Sequence, residues 1–349
     1  MIHWMDEARR QVGRALDSVG LGPQETPHRV VAEWPGARLR AYHDQERADG
    51  PVLLIIPAPF KKAYLWDLLP EVSVVRRCLS GGLRVYLLEW LIPTQREDEF
   101  GLAEYANRLP AAALDAIRAE TGVSAPVLAG HSLGGTLATI FATLSPERVS
   151  GLVLVDAPLA FGARGGPIAH AVAALPHARL ISKTAGTPVP GSVMNVLTGA
   201  AAPHALQAQR GLDLVASLFD RRALAIHARV TRLQLDEFPL PRRLFEETVE
   251  QLYREDRFVQ GTLQVGDHQT GITRLCAPVI AVVNPVGGIV PPHSVLAGLE
   301  AVPDLPYQVL EYQADRGPLM QHLGPLVAPF AHEHLWPRIL DWVDQHAQS

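Results

Sequence analysis

Residues 125–144 read Ala-Pro-Val-Leu-Ala-Gly-His-Ser-Leu-Gly-Gly-Thr-Leu-Ala-Thr-Ile-Phe-Ala-Thr-Leu. The apolar start is typical of a buried strand, and the apolar run after the glycines is typical of a helix. Between them lies Gly130-x-Ser132-x-Gly134, the nucleophile-elbow pattern, in which a sharp strand-to-helix turn lifts a serine hydroxyl clear of a sheet. The glycines are required because a Cβ there would clash with the neighbouring strand and helix. The stretch therefore predicts Ser132 as a nucleophile.

Short, continuous apolar runs occur on both sides of this stretch. They cover residues 52–56, 83–89, 152–155, 278–283 and 307–312. Continuous apolar runs are typical of strands buried on both faces, and the helix-like segments between them are typical of parallel β-α-β units. Residues 29–42, with Pro35-Gly36 in the middle, predict an additional hairpin. A final helix is expected over roughly 334–346.

The strand pattern stops between residues 161 and 268, where the sequence is helical and rich in proline. We interpret residues 161–268 as a helical cap inserted into one α/β core, which residues 1–160 and 269–349 form. This interpretation rests on the strands before and after the segment, which fit a single sheet. The alternative is a second, independent domain.

Composition excludes several classes of protein. The chain has 349 residues, of which 48% are hydrophobic and 19% charged, so it can build a large core and is not disordered. A net charge of −5 disfavours a nucleic-acid binder with a basic surface. Two cysteines make no disulfide framework and suit a reducing cytosol. The longest apolar run, 52–59, is too short to cross a bilayer, and the first residues lack the order of a signal peptide, so we expect a cytoplasmic protein.

A serine at its free pKa needs a neighbouring base. Where the elbow occurs, the partners follow in the order serine, acid, histidine, and the histidine comes after the last strand. His322 follows the run 307–312 and is the candidate base, which we expect in a loop. The histidines near the C-terminus fall in or beside the predicted final helix, a poor position from which to reach a serine at a strand tip.

Several segments in combination resemble one family. They are residues 51–57 with 62–71, 83–90, 252–263, 289–292 and 336–342. The chain resembles the polyhydroxyalkanoate synthase-like branch of the α/β-hydrolase superfamily, especially its short forms, over most of residues 50–345. The resemblance implies the α/β-hydrolase fold, with a mostly parallel central sheet flanked by helices. It also implies an acyl thioester substrate, carried by coenzyme A or a carrier protein.

Two positions depart from that family. The synthases have cysteine at the elbow, where this chain has Ser132, and an aspartate where this chain has Gly287. Loss of the acid removes the group that fixes the histidine tautomer, which can cost ~10⁴ in rate. Asp156, at the end of the run 152–155, is the candidate replacement. Asp315 or Glu311 is a second possibility, and a slow dyad or a non-catalytic site is a third.

An oxyanion hole needs two donors. Leu133, directly after the nucleophile, supplies one N–H, and the loop after the run 52–56 must supply the other. Proline has no N–H, so Pro57 and Pro59 are excluded. Ala58, Phe60 or Lys61 remains, and Phe60 is our choice.

Two residues beside the elbow are candidates for substrate binding. His131 adjoins the nucleophile, although its side chain is expected to point elsewhere. Lys61, with Lys62 beside it, is placed to contact an anionic arm of the substrate. The alternative for these lysines is simple solvation.

The sequence thus predicts a serine-dependent acyl-transfer enzyme, a thioesterase or acyltransferase. A carboxylesterase acting on oxygen esters and a non-catalytic or synthase-accessory acyl-binding protein are the alternatives. No metal or redox cofactor is needed, and no Gly-rich dinucleotide fingerprint is present. The expected partner is a small acyl substrate, bound to coenzyme A or a carrier protein; neither nucleic acid nor a membrane span is expected, and a homodimer is allowed.

Overall fold

Eight strands form one sheet at the centre of the structure, a computed structural model that describes residues 3–42, 49–193, 221–236, 238–313 and 318–347. The strands are β1 (Arg29–Trp34), β2 (Ala37–Ala41), β3 (Val52–Ile56), β4 (Arg84–Trp90), β5 (Val127–His131), β6 (Gly151–Val155), β9 (Val279–Val283) and β10 (Tyr307–Glu311). A separate pair consists of β7 (Leu263–Val265) and β8 (His268–Thr270). The large sheet has the order β1-β2-β4-β3-β5-β6-β9-β10. Strand β2 pairs antiparallel with both β1 and β4, and all other neighbouring strands are parallel.

Both faces of the sheet are buried, as the continuous apolar runs predict. Alternate residues of β3 point to opposite faces: Leu54 and Ile56 belong to one hydrophobic cluster, and Leu53 and Ile55 to another. Helices cover both clusters, so the carboxyl ends of the strands are the edge where polar side chains from different strands can meet.

The described helices surround the sheet. They are α1 (His3–Leu16), α2 (Val74–Ser80), α3 (Leu109–Thr121), α4 (Leu133–Leu144), α5 (Gly166–Ala174), α6 (Ala178–Ala185), α7 (Arg221–Gln234), α8 (Arg242–Glu247), α9 (Arg257–Gln260), α10 (Pro292–Glu300), α11 (Pro318–Val327) and α12 (Trp336–His346). The first cluster contains residues of α3 and α4, and the second contains residues of α2, α11 and α12. The strands and the final helix therefore confirm the expected pattern within one or two residues at their ends.

The described parts of the 161–268 segment pack into the same core as the sheet. Phe245 and Leu252 of this segment share the cluster that contains Phe141 of α4 and Leu154 of β6. The described parts of this segment contain helices α5 to α9, and the β7–β8 hairpin begins near its end. A shared core supports our proposal that 161–268 is a cap inserted into one domain.

The N-terminal segment is tied to the cap. The Arg232 guanidinium in α7 donates to both Asp17 carboxylate oxygens at 2.7 and 2.6 Å, and Arg229 donates to the Gly20 carbonyl at 2.8 Å. The Asp6 carboxylate accepts from the backbone N–H groups of Gly191 and Ser192. Of the helices described, none is both long and apolar enough to span a bilayer.

Candidate active site

Ser132 occupies a strained turn between β5 and α4. Its φ of 54° and ψ of −134° are sparsely populated by non-glycine residues and cost about 1–3 kcal/mol. The turn is held because the Ser132 N–H donates to the Val155 carbonyl at 3.0 Å. A Cβ on Gly130 would meet the backbone of Gly135, and one on Gly134 would meet the end of β3, so both glycines are required. The expected elbow is present.

Asp156 follows β6 at the strand tip next to the elbow. The two positions adjoin because β5 and β6 are parallel neighbours, with His131 paired to Val155. Asp156 has a φ of 44° and is 2% exposed. Its Oδ1 accepts from the Asn284 N–H at 3.2 Å, which leaves Oδ2 directed to another partner.

That partner is His322. Its Nδ1 lies 3.3 Å from Asp156 Oδ2, across a separation of 166 residues in sequence. Because a carboxylate accepts, the arrangement places the proton on Nδ1 and leaves Nε2 free to take a proton. The expectation that His322 lies in a loop is wrong. His322 lies in helix α11, which the sequence does not indicate because Gly324 and Pro325, inside it, usually end helices.

His131 supports His322 from the opposite side. Its Nε2 donates to the His322 carbonyl at 2.9 Å, and the two ring centroids are 4.4 Å apart. With only 2% of its surface exposed and its Nε2 already bonded, His131 is poorly placed to touch a substrate. This position departs from the expected substrate contact and favours a role in positioning the base.

Asn284 is a residue that the sequence analysis missed. It is fully buried directly after β9, where its N–H donates to Asp156 and its side-chain amide donates to the Gln321 carbonyl at 3.2 Å. It thus connects the acid to the segment that carries His322. A polar residue right after the apolar run 278–283 was the available signal, because functional groups gather at the carboxyl ends of parallel strands.

Neither Gly287 nor Glu311 supplies a carboxylate to His322 among the described residues. Gly287 lies four residues after β9, and a Cβ there would meet the Val290 carbonyl at 2.8 Å and the Asn284 carbonyl at 3.0 Å. Glu311 is exposed on the edge strand β10, and Asp315 lies outside the described residues. Among the candidates whose positions are described, Asp156 is therefore the one beside His322.

Burial governs the protonation of the pair. Desolvation, assisted by the positive charge of Lys61, lowers the pKa of His322 to about 3. Desolvation raises the pKa of Asp156 to about 7, against the opposing effects of His131 and the Asn284 N–H. The neutral imidazole and the ionised carboxylate, the forms that a triad requires, therefore coexist above pH 7.

The loop after β3 lies against the elbow and the cap. The Lys61 N–H donates to the Ala58 carbonyl at 3.0 Å, and the Phe60 carbonyl accepts from the Phe238 N–H at 3.0 Å. The Lys61 ammonium lies 5.3 Å from the Phe60 ring centroid and is near enough to lower the pKa of both His131 and His322. The expected site residues Leu133, Phe60 and Lys61 thus border the same region.

The Ser132 hydroxyl forms no hydrogen bond with any residue that the structure describes. A hydrogen bond between Ser132 and His322 is therefore not formed, although the ring of His131, the residue before Ser132, lies 4.4 Å from the His322 ring at an interplanar angle of 43°. Catalytic hydrogen bonds are often long in unliganded enzymes and tighten when substrate binds.

Comparison with known proteins agrees with this geometry. A family described as alpha/beta hydrolase fold matches residues 51–175, which include the elbow and Asp156. Among solved structures, a carboxylesterase from Nitrososphaera gargenis aligns with a TM-score of 0.54 at 16% identity, covering 91% of this chain and 99% of that one. A monoacylglycerol lipase from Paleococcus ferrophilus aligns with a TM-score of 0.53 at 18% identity, covering 85% and 95%. The chain has the α/β-hydrolase fold.

Curated relatives narrow the class. The poly(3-hydroxyalkanoate) polymerase subunit PhaC of Haloferax mediterranei is 24% identical over 326 residues, which are 93% of this chain and 65% of that subunit. The PhaC subunit of Allochromatium vinosum is 24% identical over 295 residues, 84% of this chain and 80% of that one. The chain is thus similar to polyhydroxyalkanoate polymerase subunits over most of its length. Fold and relatives together support an enzyme of the hydrolase or acyltransferase type.

Proposed function

We propose that Ser132, His322 and Asp156 form a catalytic triad that transfers acyl groups from a thioester of coenzyme A or a carrier protein. The observation that carries the proposal is the 3.3 Å contact between His322 Nδ1 and Asp156 Oδ2, beside a serine held at φ 54°. An acid absent from its usual place is supplied by the neighbouring strand. A chain that had only retained an inactive elbow would have no reason to keep this pair.

In the first step, His322 Nε2 takes the proton of the Ser132 hydroxyl as the oxygen attacks the acyl carbonyl. The negative charge that develops on the carbonyl oxygen is stabilised by the Leu133 N–H and by an N–H of the loop 58–61. Asp156 keeps the imidazole in the required tautomer and stabilises its cationic form.

In the second step, protonated His322 gives its proton to the leaving thiolate, and an ester on Ser132 remains. His322 then removes a proton from water or from an acceptor hydroxyl, whose oxygen attacks that ester. As the bond between the acyl carbon and the Ser132 oxygen breaks, His322 returns the proton to Ser132, and both groups regain their starting forms. Water makes the protein a thioesterase, and a hydroxyl acceptor makes it an acyltransferase.

The nucleophile favours these outcomes over polymer growth. A serine ester is less activated than the thioester that the cysteine of a synthase forms, so it suits hydrolysis or a single transfer. The relatives are polymerases of hydroxyalkanoates, whose polymers are joined by ester bonds, and this supports acyl transfer as the chemistry. Lys61 is the residue we assign to an anionic part of the substrate.

Parallel assays with acyl-coenzyme A thioesters and p-nitrophenyl esters test the proposal. We expect the wild type to turn over thioesters and Ser132→Ala to turn over neither class. Turnover confined to the p-nitrophenyl esters would identify an oxygen-ester carboxylesterase instead. Equal, low rates in both proteins would contradict catalysis and support an acyl-binding or synthase-accessory protein.

A further inference from the structure

Trp90 lies outside the triad but holds the loop that borders it. Its indole Nε1–H donates to the Pro57 carbonyl at 2.7 Å. The ring is 2% exposed and packs on Tyr105 at a centroid distance of 4.7 Å, so the donor has a fixed position. We propose that Trp90 is a positioning residue, which aims the Ala58 N–H into the oxyanion hole of the proposed triad.

The order of the strands gives the direction of that N–H. β4, which carries Trp90, and β5, which leads to Ser132, flank β3 on opposite sides. In a trans peptide the C=O and the N–H point in opposite directions. Because the Pro57 carbonyl points towards β4, the N–H of the same peptide, which belongs to Ala58, points towards β5 and the elbow.

Ala58 is also close enough to the elbow. Its nitrogen would lie only 2.8 Å from a Cβ built on Gly134, the second residue of α4. The N–H of Leu133, at the start of α4, belongs to the same helix N-terminus. Two backbone donors from adjacent elements thus converge on the position where an oxyanion would form.

Hydrogen bonding and burial favour Ala58 over its neighbours in the loop. The Lys61 N–H is occupied by the Ala58 carbonyl, and Phe60, whose N–H has no acceptor among the described residues, is less buried than Ala58. No acceptor for the buried Ala58 N–H occurs among residues 3–42, 49–193, 221–236, 238–313 and 318–347. An unpaired buried donor costs free energy, and an oxyanion would satisfy it during the reaction. Ala58 therefore replaces Phe60 as our second donor.

The inference rests on the proposed function, and Trp90→Phe tests it with little change in ring packing. Removing one oxyanion-hole donor outright costs about 10²–10³ in kcat. Loss of its alignment should cost less, and we expect kcat for butyryl-coenzyme A to fall about tenfold or more with KM nearly unchanged. Benzothienylalanine at position 90 has sulfur in place of the indole N–H and should lower kcat in the same way. This variant tests the proposal if Trp90→Phe does not fold.

A transition-state analogue separates positioning from general damage. A trifluoromethyl ketone adds to Ser132 as a tetrahedral oxyanion, so its inhibition constant should rise by the same factor as kcat/KM falls. The matched control is Tyr86→Phe, which removes the hydroxyl that donates to Glu120 from the same strand, and it should leave both constants unchanged.

The outcomes are distinguishable. An active wild type whose Trp90 variants keep full kcat and full affinity for the ketone would overturn this inference and leave the triad standing. Loss of kcat without loss of ketone affinity would overturn it too. A wild type that neither turns over the thioester nor binds the ketone would overturn the proposed function, and this inference with it.

Discussion

Asp156 and Gly287 are the two positions that bear on the acid of the proposed triad. The resemblance to synthases puts the acid at position 287, yet a side chain there would press on the carbonyls of Val290 and Asn284. Asp156 reaches His322 from the neighbouring strand tip, and the Asn284 N–H holds its other oxygen. In the proposed triad, Asp156 can supply the carboxylate from a different sequence position, because the tips of parallel strands lie side by side.

Asp156→Asn should lower kcat by about 10²–10⁴ while the fold remains intact. The amide cannot stabilise the imidazolium and favours the wrong tautomer, as in other serine triads. Steady-state assays together with a thermal unfolding curve check this. A variant with wild-type kcat would exclude Asp156 as the acid.

The pH dependence should follow the acid–base pair. Activity needs neutral His322 and ionised Asp156, and the raised pKa of Asp156, about 7, means that the second condition fails first on acidification. We therefore expect kcat/KM to fall below pH 7 and to reach a plateau above it, a limit that belongs to the coupled pair. The low residual kcat/KM of Asp156→Asn should not show this fall below pH 7. A pH profile in that variant with the wild-type shape would contradict the role of Asp156 as the acid.

The end of strand β3 and the start of helix α4 are in close backbone contact at the elbow. A Cβ on Gly134 would meet the Ile56 carbonyl, the Pro57 carbonyl carbon and the Ala58 nitrogen. The start of α4 is thus packed on the end of β3, and this contact brings the Leu133 N–H and the loop 58–61 together. Glycine is required at position 134 because the backbones of α4 and β3 approach closely there, in addition to the turn at Ser132.

Gly134→Ala should lower activity by at least tenfold and cost about 1–3 kcal/mol of unfolding free energy, because the loop after β3 must move. Gly122→Ala is the matched control. Gly122 has a φ of 78° with open space around it, so alanine there is strained by roughly 1–2 kcal/mol but lies at the far end of α3. Denaturant unfolding and esterase assays of both variants test the prediction; equal activity losses would contradict it.

Sequence patterns predicted the structural features that depend on residues close together in the chain. The elbow and the strands follow from glycine spacing and apolar runs. The helix around His322 did not, because Gly324 and Pro325 are helix breakers that tertiary packing overrides. The roles of His131, Asn284 and Trp90 depend on side-chain hydrogen bonds between distant segments, which no single-sequence pattern encodes.

At the scale of the whole molecule, we propose one core with an inserted cap, and contacts among the described residues support this. Phe245 of the cap lies in the same cluster as Phe141 beneath the elbow, and Phe238 bonds to the loop after β3. Arg232 of the cap pairs with Asp17 of the N-terminal segment. Cap, core and N-terminus should therefore unfold together.

Phe245→Ala should lower the free energy of unfolding by about 3–5 kcal/mol in one transition that includes the sheet, because it removes a fully buried ring. Leu180→Ala, at a position in cap helix α6 that is 55% exposed, is the control and should change stability by less than about 0.5 kcal/mol. Calorimetry with tryptophan fluorescence provides the measurement. Two separate transitions would show that the segment 161–268 is an independent domain.

Active-site labelling tests the activation of Ser132 most directly. The wild-type protein is incubated with a fluorophosphonate, and the adduct is mapped by peptide mass spectrometry, with Ser132→Ala and His322→Ala alongside. The triad predicts one adduct, on Ser132, that is absent from Ser132→Ala and forms at least a hundredfold more slowly in His322→Ala. A wild-type protein that remains unlabelled, or one that labels equally fast without His322, would contradict the account.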